Sequence, residues 1–209
     1  MKKAFSLAEI LVTLMIIGVI AGMTIPALRK DSTNKATATN LKKIYSELNH
    51  SFSLYLTENY ASKLCRTRIF DETSQFENFV KEKLNVAYTC DESEPEKCFG
   101  NDNLVTSTKS YLLTSGIAIA FGEFDTNSCP DDYAIIFIDT NGPKPPNKGG
   151  TDQFMLNVNG SGLVQTSNNL NSPNYVENAK ETCENSQNDY DAAWACAIHI
   201  QSNGWEIKY

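Results

Sequence analysis

A carboxylate set in an apolar run is the first candidate for chemistry in this chain of 209 residues. Glu9 is the only charged residue between Phe5 and Leu28 (FSLAEILVTLMIIGVIAGMTIPAL). A helix of that length crosses a bilayer core of about 30 Å, at about 1.5 Å per residue. A carboxylate inside such a segment costs roughly 2.5–3.5 kcal/mol on insertion scales, which points to a function and a positively charged partner. The run itself contains no such partner. Cleavage after Ala4 would expose an amine on Phe5 and supply one.

A second concentration of chemistry lies between Asp139 and Asp152 (DTNGPKPPNKGGTD). Asp139, Asn141, Asn147 and Asp152 offer hard oxygen atoms, and backbone carbonyls could complete the six- to eight-oxygen shell that calcium takes. The spacing is not that of an EF-hand, because Pro143 and Gly150 stand where that loop wants an oxygen ligand and a bidentate Glu. The plainer reading is an Asn141-Gly142 turn in a long hairpin stiffened by prolines. Both readings stay open at the level of sequence.

Six cysteines, Cys65, Cys90, Cys98, Cys129, Cys183 and Cys196, all follow the apolar run. An even count beyond a membrane-targeting segment favours disulfides. A zinc site is disfavoured, because no C-x-x-C occurs and neither histidine has metal-ligand spacing to a cysteine. Six cysteines allow 15 pairings. The shortest loops are Cys90–Cys98 and Cys183–Cys196, which leaves Cys65–Cys129 by elimination.

Catalytic patterns are missing. The chain has no G-x-S-x-G, and Gly160-Ser161-Gly162 reads as a turn. It has no phosphate-cradling glycine loop. His50 falls on a helix as an exposed polar residue. His199 sits among Ala197, Ile198 and Ile200 and reads as a packed core histidine. These absences predict that the chain is not an enzyme. A net charge of −7 argues against nucleic-acid binding by the surface as a whole. Arg66 with Arg68, and Lys144 with Lys148, read as solvated faces.

Elements must position these groups. Leu41, Ile44, Tyr45, Leu48, Phe52, Tyr55 and Leu56 recur at helical spacing, with Lys42, Lys43, Glu47, Asn49 and His50 on other faces. This predicts an amphipathic helix over 29–60, continuing from a membrane-spanning half over 5–28 and packing on a globular head over 61–209. Gly22 and Pro26 interrupt the first half, as a boundary at the membrane surface or as a joint that extends. Residues 71–84 read as a short helix and 85–103 as an acidic loop. Strand signals follow at 111–113, 117–121, 133–138, 154–158 and 163–164, spaced as an antiparallel meander. Residues 166–178 read as loop. Ala192–Ile200 reads as a helix ended by Asn203-Gly204, with a last short strand at 205–207. The fold class is α+β, a long helix on a small antiparallel sheet.

A secretory signal peptide is the rival reading of the start, with Val19-Ile20-Ala21 as a cleavage site. Glu9 in the apolar core and the apolar residues running on to Leu28 count against it. Lys2 and Lys3 fit a cytoplasmic N-terminus, while Arg29 and Lys30 oppose it slightly.

The run Lys2-Lys3-Ala4-Phe5-Ser6-Leu7-Ala8-Glu9, followed by apolar residues with Pro26 near their end, resembles the start of type IV pilins and type II secretion pseudopilins. Ala4 replaces the family's usual Gly, and Ser6 and Ala8 replace commoner Thr and Ile. The resemblance implies that residues 1–4 are a leader removed by a prepilin peptidase and that Phe5 becomes N-methylated. It further implies that Glu9 meets the Phe5 amine of a neighbouring subunit, and that Gly22 and Pro26 form an extensible joint. The implied location is the inner membrane, single-pass, with the N-terminus cytoplasmic and the head exported, before assembly into a pilus or pseudopilus. Implied partners are further copies, related pilin-like subunits, the peptidase and methylase, and an inner-membrane assembly platform. The alternative role is a minor tip subunit that binds a surface, DNA or cargo. Some major pseudopilins carry calcium in a head loop. The Asp-x-Asn-Gly…Pro-Asn…Gly…Asp pattern and the Cys196…Asn203-Gly204-Trp205 ending are similar to ones in other pilin-like proteins.

Overall fold

The structure is a computed structural model that describes residues 6–67, 69, 73–100, 104–105, 109–124, 134–167 and 173–209. Helix α1 runs over Leu7–Glu58, α2 over Thr73–Lys83, α3 over Glu96–Phe99, α4 over Pro173–Asn185 and α5 over Asp189–Ser202. Strands β1 (Val86–Cys90), β2 (Ser110–Leu113), β3 (Ala118–Phe124), β4 (Ala134–Asp139), β5 (Gln153–Val158) and β6 (Val164–Gln165) form one six-stranded sheet in chain order. Every neighbouring pair is antiparallel. The expected fold class is the one observed.

The chain divides into two compact units, Met1–Ala36 and Thr37–Tyr209. In the first unit α1 passes through Gly22 and Pro26 as continuous helix. Its apolar side chains are exposed, from Leu7 at 80% to Leu28 at 68%.

In the second unit the predicted stripe of α1 is the core. Leu41, Ile44, Leu48 and Phe52 are fully buried. Each such side chain contributes about 1.5–3 kcal/mol relative to exposure. Strand alternation divides the rest between two faces. Ile119, Phe121, Ile136, Ile138, Phe154 and Leu156 share a cluster with the α1 stripe and α2. Ala118, Ala120 and Met155 point the other way, towards Phe99, the Cys90–Cys98 bridge and Ala193 of α5. Both faces are covered, so these strands read as nearly continuous apolar runs.

Polar contacts fix α1 on this unit. The Asn49 amide acts as a peptide mimic against the last strand. Its Oδ1 accepts the Val164 N–H at 2.9 Å, and its Nδ2 donates to the Val164 carbonyl at 3.3 Å. Asn49 therefore serves the sheet edge, where the spacing alone had put it on a solvent face. Asn40 Nδ2 donates to the Thr140 carbonyl at 3.0 Å.

Four segments differ from the sequence expectation, among them residues 96–99, expected within a loop, which form α3. Residues 86–90, expected within a loop, form the edge strand β1. Residues 173–178, also expected as loop, open α4. Residues 205–207 form no strand. Helix α5 instead ends with Gly204 at φ 72°, whose N–H donates to the Gln201 carbonyl while the Trp205 N–H donates to that of Ile200. This left-handed closure suits glycine and turns the chain sharply. Trp205 also has positive φ, at 68°, which a strand does not allow. Its ring reaches Tyr45 of α1 at 4.9 Å.

Candidate functional site

The first site is the start of α1. Ser6 and Glu9 form a reciprocal cap. Glu9 Oε2 accepts the Ser6 N–H at 2.8 Å and the Ser6 hydroxyl at 2.9 Å, and the Glu9 N–H donates to Ser6 Oγ at 3.3 Å. This is a capping box, which satisfies donors that a helix start would otherwise leave bare. In hydrocarbon such bare groups are costly, because no water replaces the missing partner. The carboxylate therefore has a local role before any neighbour arrives. The signal was present in Ser6-Leu7-Ala8-Glu9, an S-x-x-E directly before an apolar run. Ala4 and Phe5 lie outside the described residues.

From Glu9 onward α1 offers apolar side chains on every side, among them Met15, Ile17, Ile20 and Met23. Its most apolar window has a mean hydropathy of 2.3, and the helix is long enough to span a membrane. So extensive an exposed apolar surface demands lipid or protein as cover.

The second site is the loop between β4 and β5. All four expected oxygen donors fall in one hydrogen-bonded network. Asp152 is buried, and its Oδ1 accepts the Lys148 N–H at 2.8 Å. Its Oδ2 accepts the Asn147 N–H at 3.0 Å and Asn141 Nδ2 at 3.2 Å. Asp139 is fully buried; it accepts the Asn141 N–H at 2.9 Å and Gln153 Nε2 at 3.1 Å. Burial pushes the Asp139 carboxyl up to about 8, against those hydrogen bonds and with the neighbouring Asp152 adding to the rise. Burial likewise raises Asp152. Two carboxylates withdrawn from water side by side resist ionising together.

The donor set suits a hard cation. The Asn147 side-chain amide lies 2.8 Å from the Lys144 carbonyl and 3.3 Å from that of Gly142. With its nitrogen towards them it donates to both. Asn141 Oδ1 and Gln153 Oε1 are buried without a hydrogen bond among the described residues. Among the described residues no group of three or more His, Cys, Asp or Glu comes together to hold a metal ion. For a dissociation constant of ~1 mM, adding about 10 mM calcium to the full chain should raise its melting temperature by roughly 3–6 °C. The Asp152→Asn chain should lose that rise. A wild-type curve that does not move in calcium leaves the loop as a hydrogen-bonded hairpin.

The same loop joins several elements. A methyl group on Gly149 would lie 1.9 Å from the Asp189 carbonyl oxygen, so the loop backbone lies directly on the start of α5. The phenol of Tyr209 donates to the Gly150 carbonyl at 2.6 Å. Beside Gly150, Cys196 forms a disulfide with Cys183 that ties α5 to α4, with an S–S distance of 1.99 Å. A loop of that length contributes about 3 kcal/mol in the chain-entropy account. Cys90 pairs with Cys98 as expected. Cys65 is also disulfide-bonded; its expected partner Cys129 lies outside the described residues.

The histidines do not join either site. His50 is exposed. His199 is buried with Asn203 Nδ2 at 3.1 Å from its Nε2, and burial holds its imidazole below the ordinary range.

Comparison with protein-family models, with curated proteins and with solved structures finds no match to this chain.

Proposed function

We propose that this chain is a subunit of a type IV pilus or a type II secretion pseudopilus, assembled through its N-terminal helix. The carrying observation is the first half of α1, an apolar helix exposed on every side whose one carboxylate is held by its own capping serine. Lipid covers that surface while the subunit waits in the inner membrane, and neighbouring helices cover it in the filament. The head, secured by disulfides, lies on the exported side, where such bonds persist. The chain itself is the substrate of a peptidase and a methylase, and its later partners are other copies, related subunits and an assembly platform.

Intact mass spectrometry of the native protein tests the reading at its first step. The expected mass lacks Met1 to Ala4 and carries one added methyl group, located on Phe5 by fragmentation. A mature chain beginning at Gly22 establishes a secretory signal peptide and ends the proposal.

A further inference from the structure

Helices α4 and α5 enclose a groove that neither the membrane segment nor the β4–β5 loop explains. It has a volume of about 380 Å³, within the range of small-ligand sites. Its floor is apolar and includes Ile198. At one end stand Tyr175 and Trp194, with ring centroids 6.1 Å apart and planes at 73°. Trp194 is 37% exposed. Its indole N–H is already engaged, donating to the Thr166 carbonyl at 3.0 Å. That bond fixes the ring and occupies its polar edge. Asn178, Thr182 and Asp191 complete the lining, and all three are exposed. The Cys183–Cys196 bridge beside Thr182 holds the two helices together, so the groove is formed in advance and ordering costs on binding are reduced.

We infer that this groove binds a neutral pyranose sugar, as a monosaccharide or the end of a glycan. Three observations select that chemistry. Among the described residues no Lys, Arg or His lines the groove and its one charge is the Asp191 carboxylate, so an anionic ligand is repelled. The rim supplies donors (the Asn178 amide and the Thr182 hydroxyl) together with acceptors (Asp191 and the Asn178 carbonyl), and sugar hydroxyls need both. An apolar ligand would make no hydrogen bond to those three groups. An alkylammonium would leave the donors unused. The exposed part of the Trp194 ring offers an apolar surface for the C–H face of the sugar, while the hydroxyls at its edge reach the rim. The inference needs only the folded head, and it stands or falls independently of filament assembly.

The test uses the full chain in phospholipid nanodiscs prepared without glycosidic detergent. The probes are the methyl glycosides of glucose, galactose, mannose and N-acetylglucosamine, followed by saturation-transfer NMR and by tryptophan fluorescence. At least one glycoside should bind saturably with a dissociation constant of ~1 mM. Trp194→Ala should weaken it at least tenfold, by removing the stacking face. Asp191→Asn and Asn178→Ala, which leave the ring and its Thr166 bond in place, should each weaken it roughly fivefold with an unchanged melting temperature. Lys208→Ala, outside the groove, should bind as wild type. The inference is overturned by no saturation with any of the four glycosides up to about 20 mM, or by binding that survives both Trp194→Ala and Asp191→Asn.

Discussion

Subunits carrying Glu9→Gln should insert into the membrane, lose their leader and be left out of filaments. The choice of Gln separates two roles that Ala would remove together. In the structure Glu9 Oε2 accepts the Ser6 N–H and hydroxyl. A Gln side-chain oxygen can take both bonds, since capping boxes accept Glu or Gln at this position. The helix start therefore remains satisfied, and insertion becomes easier as the charge disappears. On the proposed assembly, what the variant lacks is the partner for a neighbour's Phe5 amine. An ion pair in a low dielectric gains Coulomb energy and also costs desolvation, so its net stabilisation can be small. Its larger effect is on register, because only one axial offset sets the amine beside the carboxylate and every other offset buries an unpaired charge. Mixing tagged wild-type and Glu9→Gln subunits and counting each in sheared filaments measures this, with at least tenfold depletion of the variant expected. Ser6→Ala is the counterpart: it loosens the cap, keeps the charge and should enter far more readily. Entry of Glu9→Gln at the wild-type ratio would remove the charge from the assembly mechanism and leave Glu9 as a helix cap alone.

The α1 stripe was legible because Leu41, Ile44, Leu48 and Phe52 recur at helical period and all bury completely. Strands β2 to β5 were legible because their apolar runs are bounded by turn residues. Strand β1 was not, since it is an edge strand whose Ala87 and Tyr88 are exposed, and acidic residues follow it directly. Helix α4 was hidden by its Asn- and Ser-rich approach. Its signals were Pro173 at the first helical position and the spacing of Tyr175, Ala179 and Cys183, of which only Ala179 is buried. With so little apolar burial, its bond to α5 through Cys183 carries much of its placement. Asp139, Asn141, Asn147 and Asp152 of the β4–β5 loop meet in one hydrogen-bonded network, but a sequence cannot show which atoms each one faces. The capping role of Ser6 was visible and was overshadowed by the search for a distant charge.

Gly149→Ala should be among the most damaging single-methyl changes in the head, which no reading of Lys148-Gly149-Gly150-Thr151 as a flexible turn would anticipate. The added carbon would sit 1.9 Å from the Asp189 carbonyl oxygen, 2.6 Å from its carbonyl carbon and 2.7 Å from its Cα. All three are backbone atoms at the start of α5, so no side chain can rotate aside. Either the loop lifts off α5 or the helix start shifts, and the Tyr209 bond to Gly150 is strained with it. Overpacking of this kind costs typically 1–3 kcal/mol, and the absence of any soft neighbour puts this case at about 3 kcal/mol. That should lower the melting temperature by roughly 6–12 °C. Gly122→Ala is the matched control. Its methyl also meets an atom too closely, Phe137 Cε2 at 2.8 Å, but that atom is the rim of a half-buried ring that can turn. It should lose less than about 1 kcal/mol, because alanine also orders a strand better than glycine does. The two substitutions add the same group and differ both in how close the neighbour lies, 1.9 Å against 2.8 Å, and in whether backbone or side chain must yield. Equal melting temperatures for the two variants would show that the loop does not bear on α5 as the structure has it. The oxygen network of Asp139 and Asp152 would then lack the platform that holds it in place.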